Sequence, residues 1–244
     1  MDKYFSIVLI VVLLGANQCA LAELHLNSTQ RPRQVEATLE PLFNSVVMPY
    51  NSSHAADFGG AYGKFLSYPN FPQSNYAWTF NGIKLYSNIG AFVSEIAPLE
   101  DCKPDPDELV PGHECEWRRK RFSVCHLYMF NSQNLKLENV ARLNIVRDKK
   151  QLLGLPRCHG VEAMAIAKII PDAILITLSY IDSAAPAEAR SDPPEFYTTI
   201  LLRFHQENGK LQIEQDDTCL GNPNKYKTIT AARAALTQCR GMRK

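Results

Sequence analysis

Apolar and polar residues alternate along much of the chain, which predicts antiparallel strands joined by hairpins. The clearest hairpin has strands at residues 76–80 and 83–86, joined by Asn81-Gly82. Asn-Gly is the preferred pair for a two-residue type I′ turn because both of its positions need a positive φ. Trp78 and Phe80 are two residues apart, so we expect them on the same face of the first strand.

The same pattern predicts two further hairpins. One pairs residues 163–170 with 173–181, and the other pairs residues 196–205 with 211–215. A further strand is predicted at residues 121–130. Pro171-Asp172 and residues 207–210 supply the turns, and β-branched side chains favour strand over helix in the first of these hairpins. Residues 137–146 fit either a strand or a helix.

Helical periodicity marks both ends of the chain. Apolar residues at 35–47 follow one helical face, with Pro41 either at a kink or in the first turn, and Met48-Pro49 is expected to end this helix. The Ala-rich residues 230–239 form the second predicted helix, with the first of them as N-cap and Gly241 as the stop. Helices at both ends with hairpins between them predict an α+β fold, in which an antiparallel sheet, flat or curled, carries the helices on one face.

Residues 1–22 have the features of a signal peptide. Lys3 precedes an apolar run of about a dozen residues, and Ala20-Leu21-Ala22 is a small-x-small cleavage pattern. The run is shorter than the roughly twenty residues that a membrane span needs. A lipid anchor on Cys19 is the alternative, but Asn17-Gln18 replaces the small residues that such a site requires. The sequence therefore predicts an exported protein, periplasmic or secreted, with no transmembrane segment in the mature chain.

Six cysteines follow the predicted cleavage site, and an even number in an exported chain predicts three disulfides. They are Cys102, Cys115, Cys125, Cys158, Cys219 and Cys239. Pairing nearest neighbours gives Cys102–Cys115, Cys125–Cys158 and Cys219–Cys239, one of fifteen possible connectivities. We expect residues 23–33 to be a flexible leader and residues 34–244 to form a single disulfide-stabilised α+β domain.

Aromatic side chains are concentrated at residues 58–80, which contain eight of them. Tyr and Trp beside amides and hydroxyls are typical of sugar platforms and of protein-binding hot spots. Core packing is the favoured interpretation for most of these rings. We expect Tyr62, Tyr68 and Tyr76 to be exposed and to contact a partner.

An acidic, Pro-rich segment at residues 101–112 is the second candidate surface. Asp105, Asp107 and Glu108 are expected to steer a basic partner protein. The segment lacks the oxygen spacing and central Gly of an EF-hand, so calcium binding is disfavoured. We predict no metal and no cofactor.

Motifs for catalysis and nucleic-acid binding are missing from the sequence. The histidines have no zinc-site spacing, and there is no Gly-x-Ser-x-Gly elbow or phosphate-binding loop. His126 and His159 are the histidines to consider in a hydrolase site assembled from distant residues. The net charge of +1 argues against a nucleic-acid partner.

The overall plan resembles in outline that of small periplasmic inhibitor and immunity proteins, although no motif matches a family residue by residue. The missing catalytic motifs, together with the acidic and aromatic segments on a disulfide-linked scaffold, predict a non-enzymatic binding protein that neutralises a protein acting in the cell envelope. A module that binds envelope glycan or peptidoglycan through the aromatic segment is the alternative. A hydrolase with a dispersed active site is the third hypothesis.

Overall fold

A computed structural model describes residues 23–27, 32–53, 64–67, 70–95, 121–152, 155–182 and 194–242. The strands in these residues are β1 (Leu24–Leu26), β2 (Lys64–Ser67), β3 (Asn70–Phe80), β4 (Ile83–Glu95), β5 (Arg121–Asn131), β6 (Leu137–Leu143), β7 (Pro156–Ile166), β8 (Ala173–Asp182), β9 (Phe196–Glu207) and β10 (Lys210–Gln215). The helices are α1 (Pro32–Leu42), α2 (Met48–Ser53) and α3 (Ile229–Met242), and a π-helical turn, Phe43–Val47, joins the first two.

The strands form two antiparallel sheets. The first sheet has the order β1-β3-β4-β5-β6, with β2 also paired to β4, and the second has the order β10-β9-β8-β7. The three predicted hairpins are present as β3–β4, β7–β8 and β9–β10. Asn81 and Gly82 have φ values of 48° and 79°, and Asn208 and Gly209 have 51° and 74°, as type I′ turns require.

The two sheets pack against each other, and the helices cover their outer faces. The inner core joins Trp78 and Leu127 of the first sheet to Ile176 and Phe204 of the second. The described elements thus form four layers, helix–sheet–sheet–helix, which agrees with an α+β fold. The expectation of helices on one face of one sheet is wrong, because both sheets also have an apolar outer face.

Each outer face has its own apolar cluster. Val35 and Leu39 of α1 pack against Tyr128 and Phe130 of the first sheet. Ala232 and Leu236 of α3 pack, together with other residues, against Leu175 and Leu201 of the second sheet. Strand β8 is consequently buried on both faces from Ala173 to Ile181.

The segment predicted as a flexible leader contains a strand. Leu24–Leu26 forms β1, and Leu24 pairs with Phe80 of β3. The Leu24 side chain is buried in the inner core, and its backbone N–H donates to the Pro171 carbonyl at 2.8 Å. Burial of this leucine and the added ladder hydrogen bonds stabilise residues 24–26 in this position.

The first helix does not end at Met48-Pro49 as predicted. Met48 donates its backbone N–H to the Phe43 carbonyl, which closes the π-helical turn, and the helix then continues as α2. Pro49 lies in the first turn of α2, where a missing N–H costs little. Pro41 lies in the last turn of α1, next to the π-helical turn.

The last helix begins two residues earlier than predicted. The N-cap is Thr228 rather than Thr230, because the Thr228 Oγ1 accepts the Ala231 N–H at 3.2 Å. The helix also passes Gly241 and extends to Met242 within the described residues.

A side chain covers the edge of β9 where β10 ends. Strand β10 pairs with β9 only as far as Leu202. Beyond that point Asn224 takes the place of a strand: its Oδ1 accepts the Thr199 N–H at 3.0 Å, and its Nδ2 donates to the Thr199 carbonyl at 2.7 Å. The same amide also donates to the Gly221 carbonyl at 3.0 Å.

Replacing Asn224 by Ala should lower the free energy of unfolding by roughly 2–4 kcal/mol, because it leaves the backbone donor and acceptor of buried Thr199 without these partners. Urea denaturation measures the effect. N134A is the matched control, since it removes an exposed side-chain amide that accepts the Lys136 N–H at 3.0 Å, and it should be less destabilised than N224A. Equal stability of N224A and the unmodified protein would contradict the role given to this side chain.

Candidate functional site

The predicted contact residues lie mostly outside the described residues. This applies to Tyr62, Tyr68, Asp105, Asp107 and Glu108. The predicted signal peptide, residues 1–22, also lies outside the described residues. Tyr76 is described and is half-buried, with its ring centroid 5.8 Å from that of Trp78. It packs against the inner core, and its role in binding stays a prediction.

Trp78 is part of the core and not of an exposed aromatic platform. Its side chain is 1% exposed, and its Nε1 donates to the Ser87 Oγ at 2.9 Å. The same Ser87 hydroxyl donates to the Ser74 carbonyl at 2.8 Å. Trp78 is therefore fixed by packing and by a hydrogen bond to a buried hydroxyl group that is itself anchored to the backbone.

Two of the three predicted disulfide pairings are confirmed. Cys125–Cys158 joins β5 of the first sheet to β7 of the second, and Cys219–Cys239 joins the segment after β10 to α3. Cys102 and Cys115 lie outside the described residues. Disulfides are consistent with an oxidising, exported location.

His126 is buried and cannot meet a ligand in this conformation. It lies between Gly90 of β4 and Arg142 of β6, and its ring centroid is 6.3 Å from that of Tyr128. Burial, followed by the positive charge of Arg142, lowers the pKa of His126 to about 3, although a backbone hydrogen bond at Val124 acts in the opposite direction. The histidine is therefore neutral at physiological pH.

His159 contacts a carboxylate at the surface. Its Nε2 is 3.0 Å from the Glu195 Oε1, and Tyr197 donates its hydroxyl to the Glu195 Oε2 at 2.8 Å. This hydrogen bond, burial and the charges of Glu195 and Glu162 raise the pKa of Tyr197, and the Lys227 Nζ lies 4.8 Å from the tyrosine ring centroid. The His159 and Glu195 side chains are 49% and 37% exposed, so water screens this pair.

A groove beside the Cys125–Cys158 disulfide is the best candidate for a binding site. We call it the Arg142 groove. Its volume is about 170 Å³, and it is lined by residues 123–125, 142–145, 147, 155–156 and 158. It therefore lies along the start of β5, the end of β6 and the start of β7, where the disulfide joins the two sheets.

The chain around the groove is strongly basic. Residues 142–157 contain five basic side chains and a single acidic one, Asp148, whereas the whole chain has a net charge of only +1. None of the carboxylates in the described residues lies within ion-pair distance of Arg142. This segment therefore has an excess of positive charge, and Asp217 is an acidic neighbour of the wall at Asn144 through their shared partner Asn222.

Hydrogen bonds hold one wall of the groove in place. The Arg147 Nε and Nη2 donate to the Leu152 carbonyl at 3.4 and 3.2 Å. The Asn144 carbonyl accepts from the Gln215 Nε2 at 2.9 Å and from the Asn222 Nδ2 at 2.7 Å. Gln215 and Asn222 also accept the backbone N–H groups of Asn144 and Val146. The wall is therefore already ordered before any ligand binds.

Exposed apolar side chains lie at the edge of the groove. Leu155, which is 41% exposed, lines it, and Val146, which is 52% exposed, lies between two lining residues. Among the described residues the other large apolar side chains with such exposure are Leu26 and Met242. Exposed apolar groups beside arginines are a common composition of protein-binding surfaces.

Two larger depressions lack this combination. One, of about 320 Å³, lies at the β3–β4 hairpin and has Asn27, Lys84 and Gln133 among its lining residues. The other, of about 310 Å³, is formed by four residues of α1 alone. Exposed Leu26 adjoins the first depression, but neither depression has two arginines beside exposed apolar side chains.

The residues of the groove were not predicted as a site from the sequence. Arg142 lies near the end of β6, and Leu155 lies just before β7. The two residues line the same groove because the sheets and the disulfide bring these segments together. The available signal was the density of basic residues at 142–157, a segment that also contains Val146.

Comparison with protein-family models, curated proteins and solved structures gives no match to this chain. None of the helices in the described part of the chain is long and apolar enough to cross a membrane. In the same residues, no group of three or more His, Cys, Asp or Glu side chains is arranged to hold a metal ion. The functional inference therefore rests on the chemistry of the groove.

Proposed function

We propose that this chain is an exported, non-enzymatic binding protein, periplasmic or secreted, that contacts another protein through the Arg142 groove. An inhibitor or immunity protein that neutralises an envelope-acting protein is the class we favour. The observation that carries the proposal is the pair of exposed apolar side chains, Val146 and Leu155, beside two arginines on a disulfide-linked frame. Arginine and apolar anchors supply much of the binding energy of protein interfaces.

The order of the groove supports this function. The Cys125–Cys158 bond forms part of its lining, and side-chain hydrogen bonds from Gln215 and Asn222 fix the wall at Asn144. A surface that is already ordered loses little conformational entropy when a partner binds. Such preorganisation favours tight binding over a modest contact area.

The size of the groove favours a protein side chain over a small-molecule ligand. Pockets for cofactors and drug-sized ligands have volumes of about 300–1,000 Å³, whereas this groove has about 170 Å³. A cavity of about 150 Å³ holds a group the size of benzene. One side chain from a partner therefore fills the space.

The alternative functions have less support in the described residues. Burial of Trp78 removes it from a glycan platform, which then rests on Tyr62 and Tyr68. The hydrolase hypothesis has the His159–Glu195 pair, but both side chains are exposed and neither lines the cavities described above.

Affinity capture with paired variants tests the proposal. The oxidised mature chain, residues 23–244, is immobilised and exposed to envelope and secreted extracts, with mass spectrometry as the readout. We expect V146S/L155S to retain at least tenfold less of the dominant protein partner, because each replacement removes an apolar anchor. L26S/M242S is the matched control, since it removes the other two exposed apolar side chains, and it should bind normally.

Thermal unfolding of both double variants shows that they are folded before capture is compared. Equal capture of the same partner by V146S/L155S and by the unmodified protein would overturn the proposed role of the groove. Loss of capture in L26S/M242S alone would place the binding surface elsewhere and would overturn it as well.

A further inference from the structure

We infer that the Arg142 groove binds an acidic segment of its partner, with a Glu or Asp side chain of that segment paired to Arg142. The inference rests on the proposed function and adds the chemistry of the partner. It is carried by three observations, which are the charge of Arg142, the fixed position of Arg147 and the apolar lining of the groove.

Arg142 is an exposed cation that is available to pair with an acid. It lines the groove, and none of the described carboxylates lies within ion-pair distance of it. On the sheet it lies opposite neutral, buried His126, which supplies no negative charge. A guanidinium group binds a carboxylate through two parallel N–H···O bonds, which fix both the distance and the orientation of the acid.

The second arginine strengthens the preference for an acid. Arg147 is fixed by its hydrogen bonds to the Leu152 carbonyl, so its positive charge stays beside the groove. Lys149 and Lys150 follow after one acidic residue, Asp148, and are exposed. Their combined field raises the association rate of an acidic partner and disfavours a basic one.

The apolar lining separates a peptide from a bare anion. Leu143, Ile145 and Leu155 line the same groove as Arg142. An inorganic anion leaves this apolar surface in water, whereas an acidic residue with an apolar neighbour covers it. A membrane surface with anionic lipids also combines charge with apolar groups, but Arg142 lines a groove of about 170 Å³ that matches a single side chain.

Synthetic peptides of defined sequence test the inference directly. The probes are fluorescein-labelled octapeptides with leucines on both sides of a central Glu, Gln or Lys, and fluorescence anisotropy gives the affinity. We expect the Glu peptide to bind roughly 10- to 100-fold more tightly than the Gln peptide, because hydrogen bonds to charged groups are the strong ones. The Lys peptide should bind most weakly, and added salt should weaken binding of the Glu peptide most.

Variants assign the preference to the groove. R142Q should remove the difference between the Glu and Gln peptides, and R142K should restore part of it by keeping the charge without the planar fork. K168Q is the control for a lost positive charge. Lys168 is exposed and follows the far end of β7, about 30 Å along the strand from the groove. K168Q should keep the full preference.

Several results would overturn the inference. These are equal affinity for the Glu and Gln peptides, no measurable binding of any peptide at roughly 1 mM, or a Glu preference that survives in R142Q. Tighter binding to anionic lipid vesicles or to inorganic phosphate than to the Glu peptide would also overturn it.

Partner capture that depends on Val146 and Leu155 but not on Arg142 would retain the proposed function and reject the acidic partner. A Glu preference lost in R142Q, with capture unaffected by V146S/L155S, would reject the proposed function alone.

Discussion

Acidification from pH 7 toward pH 3 is expected to destabilise the folded protein by several kcal/mol through one residue, His126. Burial and the nearby Arg142 charge lower its pKa in the folded state to about 3, from an ordinary value of 6.5. Between these two values the unfolded chain binds a proton that the folded chain does not. Stability therefore falls as the pH falls, by about 1.4 kcal/mol per pH unit and by roughly 4–5 kcal/mol across the whole window.

Urea denaturation at several pH values between 7.5 and 4 measures this effect. H126N removes the titrating ring, so its free energy of unfolding should depend less steeply on pH between 6.5 and 4 than that of the unmodified protein. S123A is the matched control. Ser123 is buried and donates to the Cys158 carbonyl at 2.9 Å, so its loss lowers stability without removing a titrating group and should leave the slope unchanged. The same slope in H126N and in the unmodified protein would show that His126 does not cause the acid sensitivity.

Turns were the part of the fold that the sequence predicted best, because their requirements are local. Asn81-Gly82 supplies two residues that tolerate positive φ, and the same is true of Asn208-Gly209. The identity of two adjacent residues was therefore enough to position the β3–β4 hairpin, and the same dipeptide marks the turn of β9–β10. Pairing of nearest cysteines succeeded at Cys125–Cys158 and Cys219–Cys239 for a related reason, since each pair closes a short loop.

The arrangement of the layers could not be predicted in the same way. Residues 173–181 form an almost continuous apolar run, which indicates burial on two faces without saying what covers each face. The inner face of β8 meets the first sheet through Ile176, and its outer face meets α3 through Leu175. Choosing among such packings requires contacts between distant segments, and a single sequence does not display them.

The candidate site was missed for the same reason. Arg142 lies on the last part of β6, and Leu155 directly precedes β7. They line one groove because β6 pairs with β5, and the Cys125–Cys158 disulfide joins β5 to β7. The sequence-based expectation of an acidic surface and a basic partner concerns residues outside those described and stays a prediction, whereas the partner that we propose for the groove is acidic.

Removing the Cys125–Cys158 disulfide should lower the free energy of unfolding by roughly 4 kcal/mol. The bond closes a loop with a sequence separation of 33 residues, for which the chain-entropy model gives a larger effect than for the 20 residues closed by Cys219–Cys239. It is also the bond that joins the two sheets, and Cys125 is fully buried in their common core. C125A/C158A therefore loses both the cross-link and some core packing.

Urea denaturation of C125A/C158A and of C219A/C239A separates the two disulfides. The second variant should lose about 3 kcal/mol, because its loop is shorter. Partner capture should fall in C125A/C158A, since this bond forms part of the groove lining, and should persist in C219A/C239A under conditions where both variants are folded. A larger loss of stability in C219A/C239A would mean that the join between the sheets is not the main contribution of disulfides to stability. The protein would then depend more on the attachment of α3 to the second sheet.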